Sequence, residues 1–130
     1  MAILAGRFQI ALAIVVVAGF SESGTGLRFA VLRYNADGSV DTSFGVNGVA
    51  KINFFSTTSS DTGHSLAVQS DGRIVVAGYG ATAGKLDMAV ARLNANGTLD
   101  GTFGTGGTAT ADLSMTSLGT SNVWVSASPK

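Results

Sequence analysis

The chain has no cysteine among its 130 residues, which removes disulfide staples, thiolate nucleophiles and thiolate-bound zinc together. Charge is scarce: 12% of residues are charged, and eight basic side chains balance eight acidic ones. No basic stripe is available to track a phosphate backbone, so nucleic acid is not an expected partner. There is one Pro and one Trp, and aromatic residues amount to 8%. The greasiest run, Phe8 to Phe20, is 13 residues, whereas a membrane-crossing helix needs about 20. No span is expected. What the chain does have is 18 Gly, with many Thr, Ser and Val, a mixture that suits short strands joined by tight turns. At this length one domain is the expectation, and it is all-β.

The apolar run contains "AIVVVAGF", residues 13 to 20. Near an N-terminus it resembles the core of a secretory signal, with Arg7 as a sparse basic region and Val16-Val17-Ala18 as small residues for cleavage. An internal repeat argues for a strand instead. At an offset of 59, residues 14 to 54 lie over 73 to 113 without a gap, and 16 of the 41 positions are identical. They include "VVAG" at 16 to 19 and 75 to 78, Arg33 with Arg92, Asp41 with Asp100, and "FG" at 44 to 45 and 103 to 104. A segment reused in mid-chain is a structural unit.

The second copy reads as four strands: "HSLAVQ" (64 to 69), "IVVAGY" (74 to 79), "LDMAVARL" (86 to 93) and "TATADL" (108 to 113). Asp71-Gly72 and "NANG" supply turns between them. The first copy runs in parallel through "LRFAVLRY", "NADG", "SVDTSFG" and "GVAKINF". Its start, "RFQIALAIVVVAG", has no turn residue between Phe8 and Val17, so the first unit is expected to be eroded or truncated there. The fold expected is therefore two four-stranded antiparallel blades of a β-propeller type, in repeat units of approximately 1–63 and 64–121 followed by a strand at 122–127. Two blades leave the ring incomplete, since a closed propeller typically has four to eight.

"RYNADGSVDTSFGVNG", then "LAVQSDGRIVVAGY", then "ARLNANGTLDGTFGTGG" resemble the delta-60 repeat family of bacterial β-propeller proteins, over about residues 14 to 113. That resemblance implies a bladed propeller in a secreted or surface-associated bacterial protein, with no established catalytic activity.

Among candidate sites, Asn35, Asp37, Ser39 and Asp41 carry oxygens at every second residue, the spacing that opens a calcium loop. The second copy offers Asn94, Asn96, Thr98 and Asp100, with one carboxylate and no closing Glu. A hairpin turn is the preferred reading, with Gly38 and Gly97 at positive φ and Asp41 and Asp100 as structural acceptors. Arg33 and Arg92, beside those carboxylates, read as a structural clamp repeated with the blade. Phe44 and Phe103 read as core plugs. His64 lacks the positioned partner that a general base requires; it is expected to begin a strand, with Val123 as its counterpart. Trp124 alternates with Val123 and Val125, and with Phe8 and Ile10 forms the expected interface set.

No catalytic, cofactor or metal site is expected, and the chain is not expected to be an enzyme. Eight acidic residues spread along the sequence do not cluster as a propeller-type hydrolase requires. A binding module for a glycan or another extracellular ligand is the alternative, with Tyr34, Tyr79 and Trp124 as its polar-edged rings. The leading expectation is a structural, self-assembling propeller module, outside the cell or at its surface. Val15, Val17, Val31, Val75 and Ala89 lie in strands apolar enough to expect cover on both sides. Homo-association follows, as a ring of several chains or an open array, with the terminal segments "RFQIAL" and "NVWVSA" each lending a strand to a neighbour.

Overall fold

The structure is a computed structural model in which residues 3–11, 14–22, 24–55, 60–82 and 85–115 are described. Eight strands follow one another in the chain: β1 (Ile3–Ala11), β2 (Ile14–Glu22), β3 (Leu27–Tyr34), β4 (Val49–Ile52), β5 (Ser60–Val68), β6 (Ile74–Thr82), β7 (Lys85–Leu93) and β8 (Thr108–Met115). They form two four-stranded sheets, in the orders β1-β2-β3-β4 and β5-β6-β7-β8. Every pairing is antiparallel between consecutive strands, so each sheet is a meander built from local connections. No helix among the described residues is long and apolar enough to cross a membrane.

The apolar run that resembles a signal core is β2, at the position β6 occupies in the second sheet. Its Val-rich backbone pairs on both sides, with β1 and with β3, which is where a β-branched run packs best.

The start of the first unit corrects the sequence reading. It is neither eroded nor truncated: β1 pairs with β2 along its length, Phe8 opposite Val17 and Ile10 opposite Val15. In the second sheet Leu66 stands opposite Val76 and Val68 opposite Ile74, so Phe8 and Ile10 match Leu66 and Val68 once one residue is allowed for in the hairpin. The two ladders share a finer mark. Register shifts between Ala5 and Arg7 in β1, and between Gly63 and Ser65 in β5, against equivalent residues of β2 and β6. Each shift is one extra residue, a bulge that raises local twist. Residues 7–11 of "RFQIAL" are thus paired within their own chain, and Phe8 and Ile10 lie on a strand that β2 already holds. Residues 122–127, including Trp124, lie outside the described residues.

The other correction is of extent. The strand expected at 64 begins at Ser60, which places His64 mid-strand as the bulge residue. By register its counterpart in the first sheet is Gly6; Val123, its counterpart at the next offset, lies outside the described residues.

Strand β5 packs against β1, β2 and β3, and one apolar cluster joins the two sheets. It includes Val16, Ala18, Phe29, Val31, Phe44 and Ile52 from the first, and Leu66, Ile74, Val76, Ala91 and Leu93 from the second. Val31 and Ala89 are core residues, whereas Val15, Val17 and Val75 keep partial exposure.

Candidate functional site

Both copies of the N-A-D/N-G motif fold as the same tight turn. Asn35 N–H donates to Ser39 O (2.8 Å) and Gly38 N–H to Asn35 O (3.0 Å); the second turn repeats this with Asn94, Thr98 and Gly97 at 2.8 and 2.9 Å. Gly38 and Gly97 have φ of +88° and +89°, a region that costs a side chain with a Cβ but not glycine. Asp37 Oδ1 accepts from the Ser39 backbone N–H (2.9 Å) and Oγ (2.6 Å), closing an Asx turn. Those bonds, the side-chain one foremost, hold the Asp37 carboxyl below its ordinary pKa.

The two carboxylates of the calcium-like spacing are used apart. Asp41 Oδ1 accepts from Ser43 N (3.0 Å) and Ser43 Oγ (2.6 Å), while its Oδ2 meets Arg33 Nε at 2.8 Å. Arg33 also lies over the Phe44 ring, 4.7 Å from its centroid. The second sheet repeats this unit. Asp100 Oδ1 accepts from Thr102 N (3.1 Å) and Thr102 Oγ1 (2.6 Å), its Oδ2 meets Arg92 Nε at 2.7 Å, and Arg92 stands 5.1 Å from the Phe103 centroid. Asp100 carries one partner more, Arg73 Nε at 3.1 Å, where the first copy has Ile14. The hydroxyl and backbone N–H of Thr102, then Arg92, hold the Asp100 carboxyl down at about 2. Asp41 is lowered too, first by the Ser43 hydroxyl.

The first of these clamps reaches across to the second sheet. Arg33 Nη1 donates to Ala95 O, and Gly45 N–H donates to Asn96 O at 2.8 Å. The turn carrying these carbonyls lies so close to the first sheet that a Cβ on Gly97 would stand 2.6 Å from Gly45 N and 3.0 Å from the Phe44 ring. Deeper in the seam Phe29, fully buried, packs over the glycine backbone of the second sheet: a Cβ on Gly78 would meet its ring at 2.4 Å. Arg33, Asp41, Phe44 and Gly97 are therefore parts of one inter-sheet lock. Phe29 was not legible as a member, because its counterpart is Met88 and the identity pattern passes over it.

Two stretches of 14–44 and 69–103, just over half of the chain, match the family described as "Domain of unknown function (DUF5122) beta-propeller". The chain belongs to that family. Both matched stretches of this β-propeller family end on equivalent phenylalanines, Phe44 of the lock and its repeat counterpart Phe103. Neither a curated protein nor a solved structure matches the chain.

The remaining candidates are placed apart from the lock. His64 stacks on Tyr79, with ring centroids 4.8 Å apart and planes at 20°, and burial lowers its pKa below the ordinary value. Asp61, fully buried in the same strand, accepts from Phe54 N–H at 2.9 Å. Among the described residues no three His, Asp or Glu side chains are grouped as a metal would need. A cavity of about 480 Å³ opens between the sheets, with Ile14, Val16, Val68 and Ile74 as its apolar wall and Arg33, Gln69 and Ser70 as its polar edge.

Proposed function

We propose that this chain is a non-catalytic propeller module with repeats of the delta-60 type, whose role is structural and whose partners are its own copies. The observation that carries this reading is the use of its repeated polar residues. Arg33, Asp41, Arg92 and Asp100 are committed to holding turns and neighbouring sheets, not aimed together into a cleft where a substrate would sit. A location outside the cell or at its surface belongs to the same proposal and rests on the delta-60 resemblance. The test is native mass by light scattering over a range of concentration. A mass that rises above the 13.1 kDa of one chain supports self-assembly; a single-chain mass throughout removes it.

A second reading, a binding module for a glycan or other extracellular ligand, draws on the inter-sheet cavity, whose volume falls in the range of small-ligand sites. Gln69 and Ser70 at its polar edge offer hydrogen bonds to sugar hydroxyls, the Arg33 charge being already met by Asp41. A thermal-shift series with oligosaccharides tests it: a concentration-dependent rise in Tm is expected from any ligand of the native state, and no shift across the series removes it.

A further inference from the structure

We infer that the outer face of the second sheet is a docking site for the outer face of the first sheet of another copy of this chain, through the same lock that joins the two sheets internally. The inference rests on the self-assembly reading above and specifies its surface.

Equivalent residues at the offset of 59 differ in exposure. On the side of the first sheet that faces the second, Val16, Phe29, Val31 and Phe44 are all fully buried. Their counterparts Val75, Met88, Val90 and Phe103 are each partly exposed. The opposite side shows the mirror of this. Ile74, Val76 and Leu93 are at most 1% exposed where the second sheet meets the first, while Val15, Val17 and Tyr34 keep partial exposure. Among the described residues, the chain thus carries one completed seam and the two unmatched halves of another.

The polar part repeats in the same way. Arg33, Phe44 and Gly45 grip the carbonyls of Ala95 and Asn96. Arg92, Phe103 and Gly104 form the same grip, already braced by Asp100 and Thr102, and among the described residues no turn lies against it. The turn that fits is Ala36-Asp37-Gly38, which has the same hydrogen bonds as the gripped one and stands open: a Cβ on Gly38 meets nothing within 4 Å, unlike one on Gly97. A contact between different faces of two copies is heterologous, so association runs head to tail and closes only if the rotation permits.

The test uses two variants of the full chain, each with one half disabled. Asn tolerates positive φ better than other side-chain-bearing residues, so Gly38→Asn leaves the open turn formed while its Cβ blocks the partner's Gly104. Phe103→Ala removes the ring on which the turn rests; Met88→Glu serves as the face variant if that protein does not fold, as judged by far-ultraviolet circular dichroism. At a concentration where the wild type associates, each variant alone is expected to have the mass of one chain, and their equimolar mixture to form a two-chain species and nothing larger. Mixed variants that remain single chains, or Gly38→Asn assembling as the wild type does, overturn the seam while leaving self-assembly standing. A wild type that is a single chain at every concentration overturns both.

Discussion

Asp100 shows how one carboxylate gathers the local order of a turn. It accepts from Thr102 twice and from Arg92, donors that favour the charged form and so lower its pKa, and Arg73 Nε stands at 3.1 Å as well. A depressed folded-state pKa contributes stability that is present above the unfolded value and lost as pH falls through the folded one. For Asp100 the window runs from the ordinary 3.8 down to about 2. Thermal unfolding followed across that window should show Tm falling with acidification, and Asp100→Asn should start lower at neutral pH and fall less; an unchanged slope would count against this role. The paired glycines give a second test at the same scale. Gly38 and Gly97 share their φ, so Ala at either incurs a similar left-handed cost of about 1–2 kcal/mol. Only at Gly97 does the new Cβ strike Gly45 and Phe44, an overpacking that adds about 1–3 kcal/mol. Denaturant unfolding should rank Gly97→Ala well below Gly38→Ala, and equal losses would mean that the close approach is relieved at no cost.

At the scale of elements, the informative strand is β1. Without turn residues the sequence around Ala11 and Ile14 gives no local signal for a hairpin, yet β1 and β2 pair and carry the same bulge as β5 and β6. What specifies the pairing is the need of β2 for a partner on its second edge, because an unpaired backbone N–H or C=O is costly once water is excluded. Native-state hydrogen exchange checks this directly. In an antiparallel ladder alternate residues exchange both backbone bonds with the partner strand, so alternate amides from Arg7 to Ala11, beyond the bulge, should be protected. Uniformly fast exchange across β1, with β2 protected only on its β3 side, would show the pairing to be absent.

For the molecule as a whole, the two sheets share one core through Phe29 and Phe44, so they are expected to unfold together. Truncating a buried Phe to Ala typically costs about 3–5 kcal/mol, a large share of the roughly 5–15 kcal/mol that holds a domain folded. Phe44→Ala also removes the ring beneath Arg33 and the surface beneath Gly97, which weakens the coupling between units more than either unit itself. The wild type should give coincident transitions by far- and near-ultraviolet circular dichroism. The variant should lose stability by this margin, with the two probes separating. A loss under about 1 kcal/mol, small for a change at a packed site, would mean that the sheets are held by something other than this lock.

The 59-residue spacing, the turn glycines and the short apolar runs were enough to point to an all-β chain built on a repeated blade, with Gly38 and Gly97 at positive φ; that the first unit is as complete as the second was not legible. The former are local properties: backbone conformation at a turn and the period of a strand depend on neighbours a few residues away. His64 at a bulge, Ser60 as the start of β5 and the pairing of Phe8 with Val17 were decided by the fold, since register is set by a partner strand and not by the strand alone. The division of labour between equivalent residues also belongs to the tertiary structure. Arg33 and Arg92, Phe44 and Phe103, and Gly97 and Gly38 are pairs of the same residue types in the same local setting. Among the described residues, Phe44 and Gly97 are buried where the other sheet lies across them while Phe103 and Gly38 keep exposure, because burial is a property of what lies across the chain and not of what lies along it.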